Sequence, residues 1–238
     1  MQPLNYVLWI PWAVFLCLSA QGQYALDADQ LTSAPYQWYD QKIDLQNSGL
    51  VNGEYEEVKR ISKDSHQFFE SDNWTQGTIH FRGQRYDSVY MTYDVHRDLI
   101  LIRHPTQFVF HNQAIKPIQQ HISEFEIFQH HFIRLNEDEL TGFYDALYKG
   151  DQLELVAKRY KKTVVERSVE YESEDRIYFL FKDNYYQLKN KSSILKVLPE
   201  HKKAIKEFVS SHKLIIKKDH DMDCVELIEF IDQNLINQ

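Results

Sequence analysis

Histidines are the most concentrated residues in this chain that could do chemistry. Eight of the 11 fall in the 66 residues that end at His131. Neutral imidazole binds zinc and copper, and strands can bring distant ligands together. The spacing shows no repeated short pair of the kind that metal sites use. His96 and the pair His130-His131 fall in predicted turns, and surface histidines on a hairpin-rich domain explain the pattern as well. We therefore predict no metal site and no cofactor, with histidine-based metal binding as an alternative. The eight are His66, His80, His96, His104, His111, His121, His130 and His131.

Three aspartates near the C-terminus, Asp219, Asp221 and Asp223, match the D-x-D-x-D opening of a calcium-binding loop. Such a loop needs glycine at its sixth position and a bidentate glutamate at its twelfth. Those positions hold Cys224 and Phe230. The pattern therefore favours helix capping over calcium binding.

Paired carboxylates are the third feature that could carry chemistry, because glycosidases use two of them across a cleft. Glu124 and Glu126 share one face of a predicted strand, but that face points outward. The chain has none of the motifs G-x-G-x-x-G, G-x-x-x-x-G-K-[ST], G-x-S-x-G, H-E-x-x-H or C-x-x-C. We predict no catalytic residues. A hydrolase of glycan or peptide remains an alternative. It requires two carboxylates or a His–carboxylate pair in one cleft, and we expect these residues from the range 66–131.

A basic stretch runs from residue 157 to residue 218, with 16 Lys and Arg against 8 Asp and Glu. Basic residues interleaved with aromatics can bind polyanions such as anionic lipid or glycan, or the acidic N-terminal half of the same chain. Lysines on solvated strand edges, which prevent edge-to-edge pairing, are the simpler interpretation. The chain as a whole carries a formal charge of −8, which argues against nucleic-acid binding. The weak binding candidates are Lys158, Arg159, Tyr160, Lys161 and Lys162.

The N-terminus resembles a cleavable signal peptide. Residues 6–18 are apolar, which is long enough for a signal core and too short to span a bilayer. Ala20 and Gly22 have the spacing that signal peptidase accepts, so we predict cleavage after Gly22. The mature protein would be periplasmic or secreted, with no transmembrane span. Only Cys224 would remain, so no internal disulfide can form.

Alternating apolar residues predict strands through most of the mature chain, and helical spacing appears only near its end. We therefore predict an α+β fold dominated by antiparallel meanders and hairpins, with helices at the C-terminus. The expected segments are a signal peptide (1–22), an irregular arm (23–48), a β-meander (49–135), and hairpins followed by helices (136–238), the last two able to form one domain. The predicted strands include 79–81, 89–95, 99–102, 108–110 and 122–128. The predicted hairpins turn at Gly150-Asp151 and at Asp183-Asn184. The predicted helices begin near Pro199 and Asp223.

One segment also resembles a known group of proteins. Its residues are Gly142-Phe143-Tyr144, Leu147–Asp151, Leu155–Lys158, Tyr178–Leu180, Asn184–Lys189, Ile194-Leu195 and Leu198-Pro199, with a similar meander upstream from Gly77 to Leu135. This pattern resembles uncharacterised exported proteins of Bacteroidota-type bacteria. The resemblance implies an envelope or secreted location and no particular activity. We therefore expect an exported envelope protein that acts as a non-enzymatic binding or structural module, with a protein or polymer partner at its sheet surface.

Overall fold

The structure is a computed structural model that describes residues 45–58, 65–105, 113–137, 140–165 and 169–236. The predicted signal peptide, most of the predicted arm and the predicted strand at 108–110 lie outside these residues. Within the described ranges, no helix combines the length and the apolar character that crossing a bilayer requires.

The described chain is α+β and mostly β, with its α-helices near the C-terminus. The strands are β1 (Glu54–Glu57), β2 (Thr75–Phe81), β3 (Gln84–Asp94), β4 (Leu99–Ile102), β5 (Gln113–Lys116), β6 (Ile122–Ile127), β7 (His130–Glu137), β8 (Leu140–Lys149), β9 (Leu153–Lys158), β10 (Lys161–Val165), β11 (Val169–Ser173), β12 (Arg176–Phe181) and β13 (Asn184–Gln187). The α-helices are α1 (Lys191–Val197), α2 (Lys202–Ser211) and α3 (Asp221–Ile231).

Eleven of the described strands form one antiparallel sheet in the order β1-β5-β4-β3-β2-β6-β7-β8-β9-β12-β13. The sheet continues through the β7–β8 hairpin, across the boundary at residue 135 between the two predicted regions. The remaining two strands, β10 and β11, pair only with each other. This separate hairpin is an insertion between β9 and β12, which are neighbours in the large sheet.

Aromatic residues fill the core under the first half of the sheet. Phe125 and Phe132 stack with ring centroids 4.7 Å apart, and Tyr93 and Phe143 meet Phe125 edge-on at 5.2 and 5.0 Å. All four are fully buried. Because alternate residues of a strand face the same side, these rings define the inner face of β3, β6, β7 and β8.

The helices cover the same face of the second half of the sheet. Side chains of β9 and β12, such as Leu155 and Phe179, pack with Ile205 from α2 and with Ile228 from α3. Burial of the α3 residues at helical spacing supplies the hydrophobic contact that holds this helix on the sheet. The helices thus give the C-terminal strands a core that the strands alone cannot form.

Three predicted turns differ from the structure. The turn after β12 is Lys182-Asp183, one residue earlier than predicted, and both residues have positive φ (49° and 60°), as a two-residue hairpin requires. Gly150-Asp151 opens a longer connection, 150–152, rather than a two-residue turn. Histidines 130 and 131 were predicted in a turn but begin β7, because the turn is Phe128-Gln129, which contains no glycine, asparagine or proline.

Candidate functional site

The β10–β11 hairpin covers two cavities at one end of the large sheet. The outer cavity has a volume of about 620 Å³ and is bounded by β1, by the start of the β3–β4 turn and by the hairpin. The inner cavity has a volume of about 310 Å³ and reaches α3. Both sizes are in the range of small-ligand sites. The outer cavity is lined by Tyr55, Glu56, Glu57, Asp94, Arg97 and Tyr171, among others.

Buried polar contacts anchor the hairpin above these cavities. The Lys161 ammonium donates to the backbone carbonyls of His66 and Phe68 at 3.1 and 2.6 Å. The imidazole Nδ1 of His96 lies 2.8 Å from the carbonyl oxygen of Lys161, and the same ring packs on Tyr171 with centroids 5.5 Å apart. Burial lowers the pKa of Lys161. The base of the hairpin is therefore fixed to the loop before β2 and to the β3–β4 turn.

Charged residues set the polarity of the outer cavity. Asp94, fully buried, accepts hydrogen bonds from the backbone amides of His96 and Arg97 at 3.1 and 3.0 Å and from Arg97 Nε at 2.8 Å. Arg97 also forms an ion pair with Glu56. Three acidic residues and one arginine line this cavity in the described part of the chain. The described lining therefore carries more negative than positive charge.

The inner cavity lies beside a cluster of five charged or titratable residues. Arg159 Nε and Nη2 both donate to Asp145 Oδ2, at 2.9 and 2.6 Å. Its other contacts are Nη1 to Asp175 at 3.1 Å and Nη2 to Asp221 at 2.6 Å. His130 Nδ1 lies 2.7 Å from Asp145 Oδ2. The cluster connects β7, β8, the segment before β12 and the first turn of α3.

The hydrogen bond from His130 to Asp145 has an electrostatic consequence. It raises the pKa of His130 above its ordinary value, against the opposing effect of partial burial. An imidazole whose Nδ1 is hydrogen-bonded to a carboxylate can exchange a proton with other groups through its Nε2. The ring also packs edge-on against Phe69, with centroids 4.9 Å apart, which fixes its orientation.

The five candidate binding residues of the basic stretch do not form one exposed patch. Lys158 is paired with Asp98 at 2.8 Å, and its ammonium lies 4.8 Å from the centroid of the Tyr144 ring. Arg159 and Lys161 are the inward-facing residues described above, and Tyr160 lines the inner cavity. Lys162 is the exposed cation of this set, 3.9 Å from a carboxylate of Glu172. Most of these cationic side chains therefore form contacts inside the protein.

The histidines, the paired glutamates and the three aspartates singled out in the sequence also make separate contacts. Glu124 lies between two histidines, 3.1 Å from His80 and 2.8 Å from His131. Among the residues that the structure describes, no three His, Cys, Asp or Glu side chains form a group that could hold a metal ion. Of the three aspartates, Asp221 binds Arg159 and Asp223 accepts the Ile215 amide. Helix α3 begins at Asp221, so Asp223 lies in its first turn rather than at its N-cap.

The β10–β11 hairpin, which covers both cavities, was not predicted from the sequence. A signal was present, because Thr163, Val164 and Val165 are consecutive β-branched residues, which favour strands. The cluster around Arg159 had no comparable signal, since its members are 14 to 62 residues away along the chain.

Comparison of the chain with protein-family models, with curated proteins and with solved structures gives no match. The site must therefore be interpreted from its own geometry and charge.

Proposed function

We propose that this protein is exported to the bacterial envelope or secreted, and that its outer cavity binds a positively charged segment of a partner protein without catalysing a reaction. The observation that carries the proposal is the acid-lined cavity between β1 and the β10–β11 hairpin. The predicted signal peptide and the resemblance to exported proteins support the location.

The charge of the described lining favours a cationic ligand over an anionic one. Glu56, Glu57 and Asp94 outnumber Arg97, and like-charge contact with an anionic partner would be unfavourable. Exposed ion pairs contribute about 0.2–1 kcal/mol each. The rings of Tyr55 and Tyr171 line the same cavity and can add cation–π contacts to a lysine or arginine side chain.

Peptide binding tests this function directly. Fluorescence polarisation would compare a labelled lysine-rich peptide with a glutamate-rich peptide of equal length, using the chain without residues 1–22. We expect only the lysine-rich peptide to bind, and more weakly at high salt. The double variant Glu56→Gln/Glu57→Gln should weaken binding by roughly twofold to thirtyfold, since two exposed pairs are lost.

The matched control is Glu170→Gln/Glu172→Gln in β11. Its two residues alternate with Val169 and Tyr171, which line the cavity, so they face away from it. The control should bind like the unmodified protein. Equal binding of both peptides, or equal losses in the two double variants, would refute a charge-selective cavity.

Export is tested by the N-terminus of the mature protein. Expressed with its full N-terminus in a bacterial host, the chain should yield a product outside the cytoplasm that begins at Gln23, as mass spectrometry would show. A product that keeps residues 1–22 would contradict the signal peptide.

A hydrolase acting at the inner cavity is the second candidate function, favoured by the His130–Asp145 pair. It is a His–carboxylate pair of the kind that the hydrolase alternative requires, with Asp145 outside the residues 66–131 from which the pair was expected. With Nδ1 held by Asp145, Nε2 can accept a proton from water while the water oxygen bonds to an acyl carbon, and can then return the proton to the leaving group. Turnover of fluorogenic peptides by the unmodified protein, lost in His130→Gln, would establish it. If the unmodified protein shows no turnover, the hydrolase candidate is rejected and binding remains as the proposed function.

A further inference from the structure

We propose that a third, smaller cavity, at the start of β12, binds a phosphate group, either free or on a lipid headgroup. This phosphate cavity has a volume of about 220 Å³ and lies where the start of β12, the segment after β13 and the loop before α3 meet. Each of these three segments contributes one cationic residue to the lining, namely Arg176, Lys189 and Lys218. The proposal goes beyond the outer cavity, which takes a ligand of the opposite charge.

The three cations are available to a ligand. All three residues are exposed, and within the part of the chain that the structure describes none of them forms an ion pair with a carboxylate. In this they differ from Lys158 and Arg159, which are bound to Asp98 and Asp145. Cationic groups gathered at one small cavity repel each other, and an anion bound between them removes that repulsion.

Two carboxylates also line the phosphate cavity, but one of them is already paired. Asp175 Oδ2 accepts a hydrogen bond from Arg159 Nη1 at 3.1 Å, and its Oδ1 accepts one from the backbone amide of Tyr160 at 3.2 Å. Glu174 therefore stands alone against the three cations of the described lining. A phosphate monoester carries about −1.5 to −2 charges near neutral pH. Its charge thus matches the excess of positive charge in the cavity.

The donors and the size of the cavity favour a phosphate group over other anions. Arg176 has a planar guanidinium that can bind two phosphate oxygens at once, and two ammonium groups can contact the remaining oxygens. Gln187 adds an amide that can donate a further hydrogen bond. A carboxylate offers only two oxygens to these donors. Because the volume is below the roughly 300 Å³ of sites for larger ligands, the cavity accommodates one headgroup.

The surface around the phosphate cavity is also basic. From residue 176 to residue 218 the chain has 11 Lys and Arg against 3 Asp and Glu. Nine of the ten lysines in this range are exposed. The chain as a whole carries a formal charge of −8, so positive charge is concentrated in this segment. The resulting field attracts anions to the cavity, and clustered lysines also bind anionic membrane surfaces.

Calorimetric titration with inorganic phosphate tests the site directly. The unmodified protein should bind phosphate at neutral pH, and more weakly as sodium chloride is added. The double variant Lys189→Gln/Lys218→Gln should weaken binding by roughly twofold to thirtyfold, since two exposed ion pairs are lost. The matched control Lys202→Gln/Lys206→Gln removes the same charge from exposed positions of α2 outside the cavity lining. It should bind phosphate like the unmodified protein.

Vesicle sedimentation identifies the source of the phosphate group. Vesicles of phosphatidylcholine with phosphatidic acid would be compared with vesicles of phosphatidylcholine alone. Binding only to the former, weakened in the cavity variant and not in the control, would support a lipid headgroup. Binding of inorganic phosphate without vesicle binding would support a soluble phosphate. If inorganic phosphate does not bind, or if the two double variants lose affinity equally, the phosphate site is refuted, whereas the proposed function, which concerns a different cavity, stands.

Discussion

Arg159 and Asp145 form a buried ion pair in which two guanidinium nitrogens bind the same carboxylate oxygen, at 2.9 and 2.6 Å. Their side chains are 8% and 2% exposed. Because Arg159 also binds Asp175 and Asp221, this one side chain joins the sheet, the base of the hairpin and α3. The inner cavity, which Arg159, Asp175 and Asp221 line, depends on that connection.

Removal of Asp145 should therefore destabilise the protein strongly. In Asp145→Ala, Arg159 keeps Asp175 and Asp221 but loses its most buried partner, and we expect a loss of about 3 kcal/mol in the free energy of unfolding, the lower end for a broken buried pair. Urea denaturation measures the change. The control Asp87→Ala removes an exposed carboxylate paired with Arg85 and should cost no more than about 0.5 kcal/mol. Similar losses in the two variants would show that the cluster contributes no special stability.

His130 should make stability depend on pH. Asp145 raises the pKa of His130 in the folded protein, so protonated His130 stabilises the fold. The contribution is complete below the unfolded pKa of about 6.5, and it disappears as the pH rises through the higher folded pKa. We expect His130→Gln to lose more stability at pH 5.5 than at pH 9, measured by urea denaturation at both values. A loss that is equal at the two pH values, or greater at pH 9, would contradict this coupling.

The strands were largely predictable from sequence, because their signal is local. In β3, Val89, Met91 and Tyr93 alternate as predicted and are fully buried, and the β12–β13 hairpin lies one residue from its predicted turn. The same local pattern cannot identify the neighbour of a strand. Thus β2 lies between β3 and β6, an order that depends on packing of the whole core.

The candidate site was much less predictable, for a related physical reason. A run of basic residues in the sequence does not show which cationic side chains pair with carboxylates in the folded protein. Asp98 and Asp145 come from distant segments and neutralise Lys158 and Arg159, so the predicted basic surface became an internal network. The acidic outer cavity likewise combines β1 with a hairpin more than 100 residues later.

Gly150 should be sensitive to the smallest possible substitution. The Asp232 carboxylate accepts hydrogen bonds from the backbone amides of Asp151, Gln152 and Leu153 at 2.9–3.0 Å. A Cβ at residue 150 would lie 2.1 Å from Asp232 Oδ2, so Gly150→Ala must displace this carboxylate from the loop.

We expect Gly150→Ala to cost roughly 1–3 kcal/mol, because the buried amide of Leu153 loses its acceptor. Thermal or urea denaturation would measure it. Gly49→Ala is the matched control, since its Cβ would make only an ordinary contact of 3.8 Å with Phe81. If Gly150→Ala were as stable as Gly49→Ala, Asp232 would not be needed to hold the loop.

Cys224 should be chemically inert while the protein is folded. The residue is fully buried in α3 among apolar side chains of the C-terminal core. Burial raises the pKa of its thiol to about 11, and the thiolate is the reactive form. At pH 8 a thiol reagent such as dithionitrobenzoate should therefore label the folded chain without residues 1–22 at least a hundredfold more slowly than the same chain in urea.

The variant Met222→Cys, whose side chain position is 80% exposed, provides a positive control on the same helix and should react at once with one equivalent. Rapid labelling of Cys224 in the folded protein would mean that α3 separates from the sheet readily. The packing of α3 against β8 and β9 would then contribute little to stability.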